Sequence, residues 1–131
     1  MTVSVVRLGS RRRTGEGPRV GTVRRPPRGV PKSKFSSGNW YDVWLPDLSP
    51  SDALVKIGQK AQKEGSDSAW RTFSKRYEKE MKAATPSRIL DMLAALSKTA
   101  NFAVGCYCED ESRCHRSILR KLLKERGAKV R

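Results

Sequence analysis

No stretch of about 18 consecutive apolar residues occurs in this chain, so no segment reads as a helix able to cross a bilayer. The first residues also lack the apolar run of a secretory signal, and a cytoplasmic protein with no membrane partner is expected. Acidic residues are scarce: 13 Asp and Glu stand against 28 Lys and Arg, a formal charge of +15. Such a field favours polyanions as partners, whether nucleic acid, nucleotides or phosphorylated metabolites. A solvated basic face that binds nothing specific has the same composition. Cysteine is limited to three residues, an odd number that cannot pair fully within one chain. In a reducing compartment they stay thiols or metal ligands. Histidine occurs once, at position 115. With no internal repeat, low-complexity tract or RNA-recognition signature, 131 residues read as one domain, 1–131.

The charge is unevenly spread. Residues 1–34 hold ten Lys or Arg and only Glu16 as an acid, so this segment carries +9 of the total. Thr2 to Val6 is β-branched and suits a strand. Gly9 to Pro18, with Arg11-Arg12-Arg13 followed by Gly15 and Gly17, reads as an exposed loop. Arg19 to Val23 reads as a second strand, stopped by Pro26-Pro27. The basic, loop-rich third therefore spans 1–38. Trp40, Tyr41, Val43 and Trp44 form a short strand or packed turn before Pro46.

The middle, 49–98, reads as helical. Ser49-Pro50-Ser51-Asp52 supplies a cap at Ser49, a proline at the first helical position and an acid at the third. Ala53, Leu54, Ile57 and Ala61 make the buried face of this helix. A second helix opens near Ser66, with Trp70, Phe73, Tyr77 and Met81 as a core-facing stripe. Thr85-Pro86 starts a third, with Ile89, Leu90, Leu93, Ala94 and Leu96 apolar. Asn101 to Cys108 is the mostly uncharged run of a strand covered on both faces. Glu109 to Arg113 is a charged loop, and Ile118, Leu119, Leu122 and Leu123 restore helical spacing up to Gly127. Ala128 to Val130 can add an edge strand. The order predicts a single-domain, three-layer α/β sandwich with a small, mostly parallel central sheet.

The strand-loop-helix segment 101–127 concentrates the chemistry. Strand alternation places Cys106 and Cys108 on one face, and Cys114 begins the helix after the loop, so three sulfurs can converge where α/β proteins gather ligands. Three readings stay open. In the first, Cys114 is a reactive thiol at a helix start, His115 an acid or base and Arg116 an anion clamp. Against this stand the acids Glu109, Asp110 and Glu111, and the Cys-x5-Arg loop of cysteine phosphatases is missed, because Cys114 occupies the arginine position. In the second, Cys106, Cys108, Cys114 and His115 make a Cys3His zinc set, although adjacent Cys114 and His115 depart from the usual paired spacing. In the third, the cysteines simply fill a buried strand and helix start.

The run Arg19-Val20-Gly21-Thr22-Val23-Arg24-Arg25-Pro26-Pro27-Arg28-Gly29-Val30-Pro31-Lys32 resembles the signature of the domain-of-unknown-function family numbered 488, called YeaO-like in one branch. There the run looks like Arg-Val-Leu-Val-Asp-Arg-Leu-Trp-Pro-Arg-Gly-Val, then Lys. The likeness continues at Trp44, Ser49-Pro50-Ser51, Trp70, Phe73, Arg76, Tyr77, Glu80 and the Cys106 to Cys114-His115-Arg116 segment, and so spans almost the whole chain. Val23 stands where the pattern has Asp, and Pro26 where it has Trp. The resemblance implies a compact α/β domain in which Arg19, Arg24, Arg28 and Cys114-His115-Arg116 are most like a shared site.

These readings lead to one expectation: a pocket for a phosphate-bearing ligand, a nucleotide or nucleic-acid end. Arg19, Arg24, Arg28 and Arg116 would bind it, and Cys114 and His115 are its candidate reactive groups. A non-enzymatic nucleic-acid binder using Arg11-Arg12-Arg13, and a structural zinc module, are the alternatives. The sequence names no cofactor and no oligomeric state.

Overall fold

The computed structural model describes all residues, Met1–Arg131. The chain runs β1 (Val3–Arg7), β2 (Arg19–Gly21), β3 (Val43–Trp44), α1 (Asp52–Glu64), α2 (Asp67–Met81), α3 (Ala84–Leu96), β4 (Phe102–Cys106) and α4 (His115–Glu125). The four strands form one sheet in the order β1-β4-β2-β3, with every pair parallel. The uncharged β4 is central and buried at every residue, as a strand covered on both faces must be. The C-terminal edge strand reduces to a single bridge between Val3 and Val130.

The two faces of the sheet are covered differently. Val3, Val5, Phe102 and Val104 point toward the helices and share one core with Leu48, Leu54, Phe73, Tyr77, Leu90, Leu119 and Leu123. Val6, Leu8 and Ala103 point the other way and meet Val23 and Tyr41, with Phe35 and Trp40 at the margin. The α/β sandwich thus has helices on one side of its sheet and a layer built from the basic N-terminal loops on the other. A parallel connection normally uses a helix; here β1–β2 and β2–β3 cross in irregular chain, and β3–β4 carries α1 to α3. No helix is long and apolar enough to cross a membrane.

Irregular backbone can cover a sheet only where it comes very close, and glycine permits this. Gly17 has φ +80°, and a Cβ there would overlap the backbone carbonyl of Asn101 just before β4. Gly17→Ala is therefore expected to destabilise by at least ~2 kcal/mol, from left-handed strain plus steric overlap. A urea titration checks this; an unchanged midpoint would mean that the loop is free to shift.

Local capping departs from the expected pattern by two residues. The α1 cap is Ser51, not Ser49, and its Oγ accepts from the Leu54 N–H. Glu80 of α2 explains the shift: its carboxylate accepts from the Ser51 N–H at 2.9 Å and from the Ser51 hydroxyl at 2.6 Å, fixing Ser51 in extended geometry. Ala53 is consequently exposed, whereas Leu54, Gly58 and Ala61 face inward. The α2 stripe is core as expected, with Phe73, Tyr77 and Met81 buried. Leu96 and Trp44 are exposed rather than packed.

Candidate functional site

Hydrophobic burial of β4 carries Cys106 to the carboxyl end of the sheet, and α4 starts beside it. Between them Asp110 caps a short 3₁₀ turn, Glu111–Arg113, by accepting from the Ser112 N–H. Cys114 occupies the N-cap of α4, where its sulfur accepts from the Arg116 N–H at 3.5 Å. Oxygen side chains dominate this position because they accept far better than sulfur. The sulfur therefore caps weakly, and its placement serves the cluster more than the helix.

Cys106 Sγ and Cys114 Sγ lie 2.6 Å apart, and Cys114 Sγ lies 3.7 Å from His115 Nδ1. β4 ends at Cys106, so strand alternation does not reach Cys108. Its N–H nevertheless turns back to Cys106 Sγ at 3.4 Å, and Cys108 lines the same cleft as the other two cysteines. Two of the sulfurs, those of Cys106 and Cys114, thus sit together with His115, and Cys108 stands beside them on the same cleft wall. Gln62 of α1 donates to Cys108 Sγ at 3.4 Å and to the Arg113 carbonyl at 2.6 Å, tying the turn to the helical layer.

His115 is buried and pinned from its far side. Its Nε2 lies 2.7 Å from the Thr22 carbonyl and 3.1 Å from the Thr22 hydroxyl. A carbonyl can only accept, so Nε2 carries the hydrogen and the neutral ring turns a bare Nδ1 toward Cys114. Burial pushes the His115 pKa down to about 4, against the opposing pull of the Thr22 carbonyl, so the ring is neutral at pH 7. Tyr77 meets the ring edge-on at a centroid distance of 5.4 Å.

The thiols titrate as a unit. Hydrogen bonds to Cys108 and Cys114, with burial, push Cys106 far up. Cys114 is pulled down by Cys106, but its bond to Cys108, burial and the Cys108 charge outweigh this and leave it at about 11. The neighbouring thiols of Cys106 and Cys114, with the bond from Gln62, overcome the partial burial of Cys108 and hold it far below an ordinary thiol. The first negative charge of the cluster thus settles on Cys108, the one sulfur residue of the three that is not fully buried.

That sulfur faces a cleft of about 350 Å³ whose wall includes all three cysteines, His115, Gln59, Gln62, Arg24, Arg25 and Arg113, and no carboxylate residue. The volume lies in the usual range for small-molecule sites, roughly 300–1,000 Å³. Gly58 lies on this wall in mid-helix, where a Cβ would come within 2.8 Å of the Phe73 ring. Cys106 Sγ, Cys114 Sγ and one His115 nitrogen all lie within 4.8 Å of one another, close enough to hold a metal ion. They supply three donors, so adjacency of Cys114 and His115 does not prevent convergence.

Compared with known families, residues 3–127 match DUF488-N3a, described as the active DUF488-N3 subclade. The chain belongs to the DUF488 family. The likeness read from Arg19 to Lys32 and from the cysteine segment is thereby borne out, with the subclade now specified. No curated protein and no solved structure matches the chain.

Within this DUF488 domain the arginines singled out from sequence separate. Arg24 lies on the cleft wall, bonded through Nε and one terminal nitrogen to the carbonyls of Ser49 and Pro50. Arg28 lines an adjoining hollow instead. Arg116 is buried beneath the site, where it donates to the Cys108 carbonyl at 2.6 Å, and its Nε–H has no partner. It fixes the backbone of Cys108 rather than the cleft wall. Arg19 is fully buried, and its guanidinium is consumed by Glu16 and by the carbonyls of Ser10, Arg11 and Asn39. No donor is left for a ligand.

Cys114, expected at an exposed helix start, is buried, because α4 begins under the loop layer and not at the surface. Sequence reading had also left out Arg25 and Gln62 as site residues. One signal for this wall was available: glycine in mid-helix costs about 1 kcal/mol relative to alanine, so Gly58 called for a packing or functional reason.

Proposed function

We propose that this DUF488 domain binds a phosphate-bearing small molecule or nucleic-acid end in the cysteine cleft and presents Cys108 to it as the reactive sulfur. The observation that carries the reading is a cleft in which three thiols and three arginines meet without a carboxylate on the wall. Arginine forks suit phosphate, and a cationic cleft raises the local concentration of an anion before contact. Cys114 and His115 act behind Cys108: Cys114 packs against Cys106 on the cleft wall, and the neutral imidazole, accepting at Nδ1, sets the orientation of Cys114. The subclade's description as active accords with a working site.

Protection against alkylation tests the reading. Saturating AMP or inorganic phosphate is expected to slow iodoacetamide labelling of Cys108 at least ten-fold, adenosine to leave it unchanged, and Arg24→Ala to weaken the protection. Equal labelling rates with and without AMP and phosphate would sink the proposal.

A zinc module is the second reading, favoured by the convergence of Cys106, Cys114 and His115. Native mass spectrometry of protein purified without chelator separates the two. A stoichiometric zinc increment lost in acid supports the metal, whereas a metal-free chain with one fast-labelling thiol supports the reactive cleft.

A further inference from the structure

The cysteine cleft does not end at Tyr107. Arg25 and Tyr107 form a wall shared with a second hollow of about 530 Å³, lined further by Arg7, Arg28 and Trp40. No carboxylate residue lines this hollow either. Glu109 and Asp52 stand at the rim and pair with Arg7 and Arg25 at 3.5 Å and 3.0 Å, but both pairs are solvent-exposed and hold their cations only loosely.

The hollow also offers rings. Trp40 and Tyr107 meet edge-to-face with centroids 5.9 Å apart. The indole is fixed from behind by Gly9, where a Cβ would lie 2.9 Å from the ring, and the Tyr107 hydroxyl donates to the Arg25 carbonyl at 2.9 Å. These groups are preset, so little side-chain entropy remains to be lost on binding.

Building on the cleft reading above, we propose that the two hollows together form one binding track for single-stranded nucleic acid. A phosphate sits by Arg24, Arg25 and Arg113 at the cysteines, the next phosphate by Arg7 and Arg28, and a base lies against Trp40. Two cationic subsites sharing a wall call for a ligand with at least two adjacent anionic centres. Fixed aromatic rings between them call for planar groups on the same ligand. A duplex keeps its bases stacked and cannot offer one to a concave aromatic site, whereas a single strand can.

The test is fluorescence anisotropy of the full chain with fluorescein-labelled hexathymidylate at low salt, run beside AMP protection of Cys108. Hexathymidylate is expected to bind at least ten-fold more tightly than AMP. Trp40→Leu should weaken it about ten-fold, within the range of one lost base stack. Arg28→Ala, at an exposed side chain that the fold does not need, should weaken it several-fold and flatten the salt dependence. Neither substitution should alter AMP protection of Cys108.

Hexathymidylate binding that matches AMP, that ignores both substitutions, or that a phosphotyrosine peptide exceeds, overturns the track and leaves the cysteine cleft standing. Loss of AMP and phosphate protection with hexathymidylate binding intact defeats the cleft reading instead, and with it the cysteine end of the track.

Discussion

Arg19→Ala is expected to cost about 3–5 kcal/mol, the range for removing one partner of a buried ion pair. Domains of this size have roughly 5–15 kcal/mol to lose, so little folded protein should remain at moderate urea. The cause lies in where the guanidinium is placed. Its Nε donates to Glu16 at 2.7 Å, and one terminal nitrogen donates to the carbonyls of Ser10 and Asn39 at 2.8 Å and 2.7 Å. One side chain thus joins β2 to both loops of the far layer. Truncation leaves a buried carboxylate and several buried carbonyls unpaired.

Arg19→Lys is expected to rescue poorly, since an ammonium has three donors where the fork has five. The acid side of the pair gives a pH signature. Burial alone would raise the Glu16 pKa, but the bonds from Arg19 and the Arg13 N–H, with the Arg19 charge, more than offset it and hold it below 4.5. A depressed folded-state value stabilises above the unfolded pKa and is lost as pH falls through the folded value. Wild-type stability should therefore drop below about pH 4.5 and Glu16→Gln should lose part of that drop. An Arg19→Ala protein with the wild-type urea midpoint would show the ion pair to be dispensable.

Cys108→Ser is expected to remove nearly all fast alkylation, a fall of at least fifty-fold in initial rate. Cys106 and Cys114 are buried and held protonated, so they label only as the chain opens. In the wild type, the Cys108 labelling rate should stay nearly flat from pH 8.5 down to 6.5. A free thiol with a pKa of about 8.5 would lose about fifty-fold over that interval. The absolute rate will be moderate, because nucleophilicity falls with pKa. Peptide mapping after brief labelling checks the assignment; first labelling at Cys114, or a free-thiol pH profile, would remove Cys108 from its role.

Periodicity made the helical half legible. The Trp70, Phe73, Tyr77, Met81 stripe and the Ile118 to Leu123 spacing report burial on one helix face, and the uncharged Phe102–Cys106 run reports burial on two. Sequence also revealed that three sulfurs and His115 share one end of the sheet, because a strand and the next helix meet there. What it hid was direction. Arginines 19, 24 and 28 look alike in a basic run, yet one supports the loop layer, one lines the cleft and one lines the next hollow.

Only tertiary approach distinguishes these arginines, and the sole local hint was Glu16 three residues before Arg19 in a segment otherwise without acids. The Ser51 cap was hidden for a similar reason, since the deciding group, Glu80, comes from another helix. Cys114 was misjudged as exposed because the irregular N-terminal chain that covers it has no periodicity to read.

The sheet order has a consequence for how copies of this chain meet. A four-stranded parallel sheet offers two outer strands, each a row of free amides and carbonyls that could template pairing with a neighbour. On the β3 side the row is two residues long. On the β1 side, the Val3 N–H donates to the Lys129 carbonyl and the Val3 carbonyl accepts from the Arg131 N–H. Lys129 to Arg131 thereby act as a guard strip at the start of β1. Deleting them would expose this β-branched edge to its own kind while leaving the cysteine cleft, at the other end of the strands, unaltered.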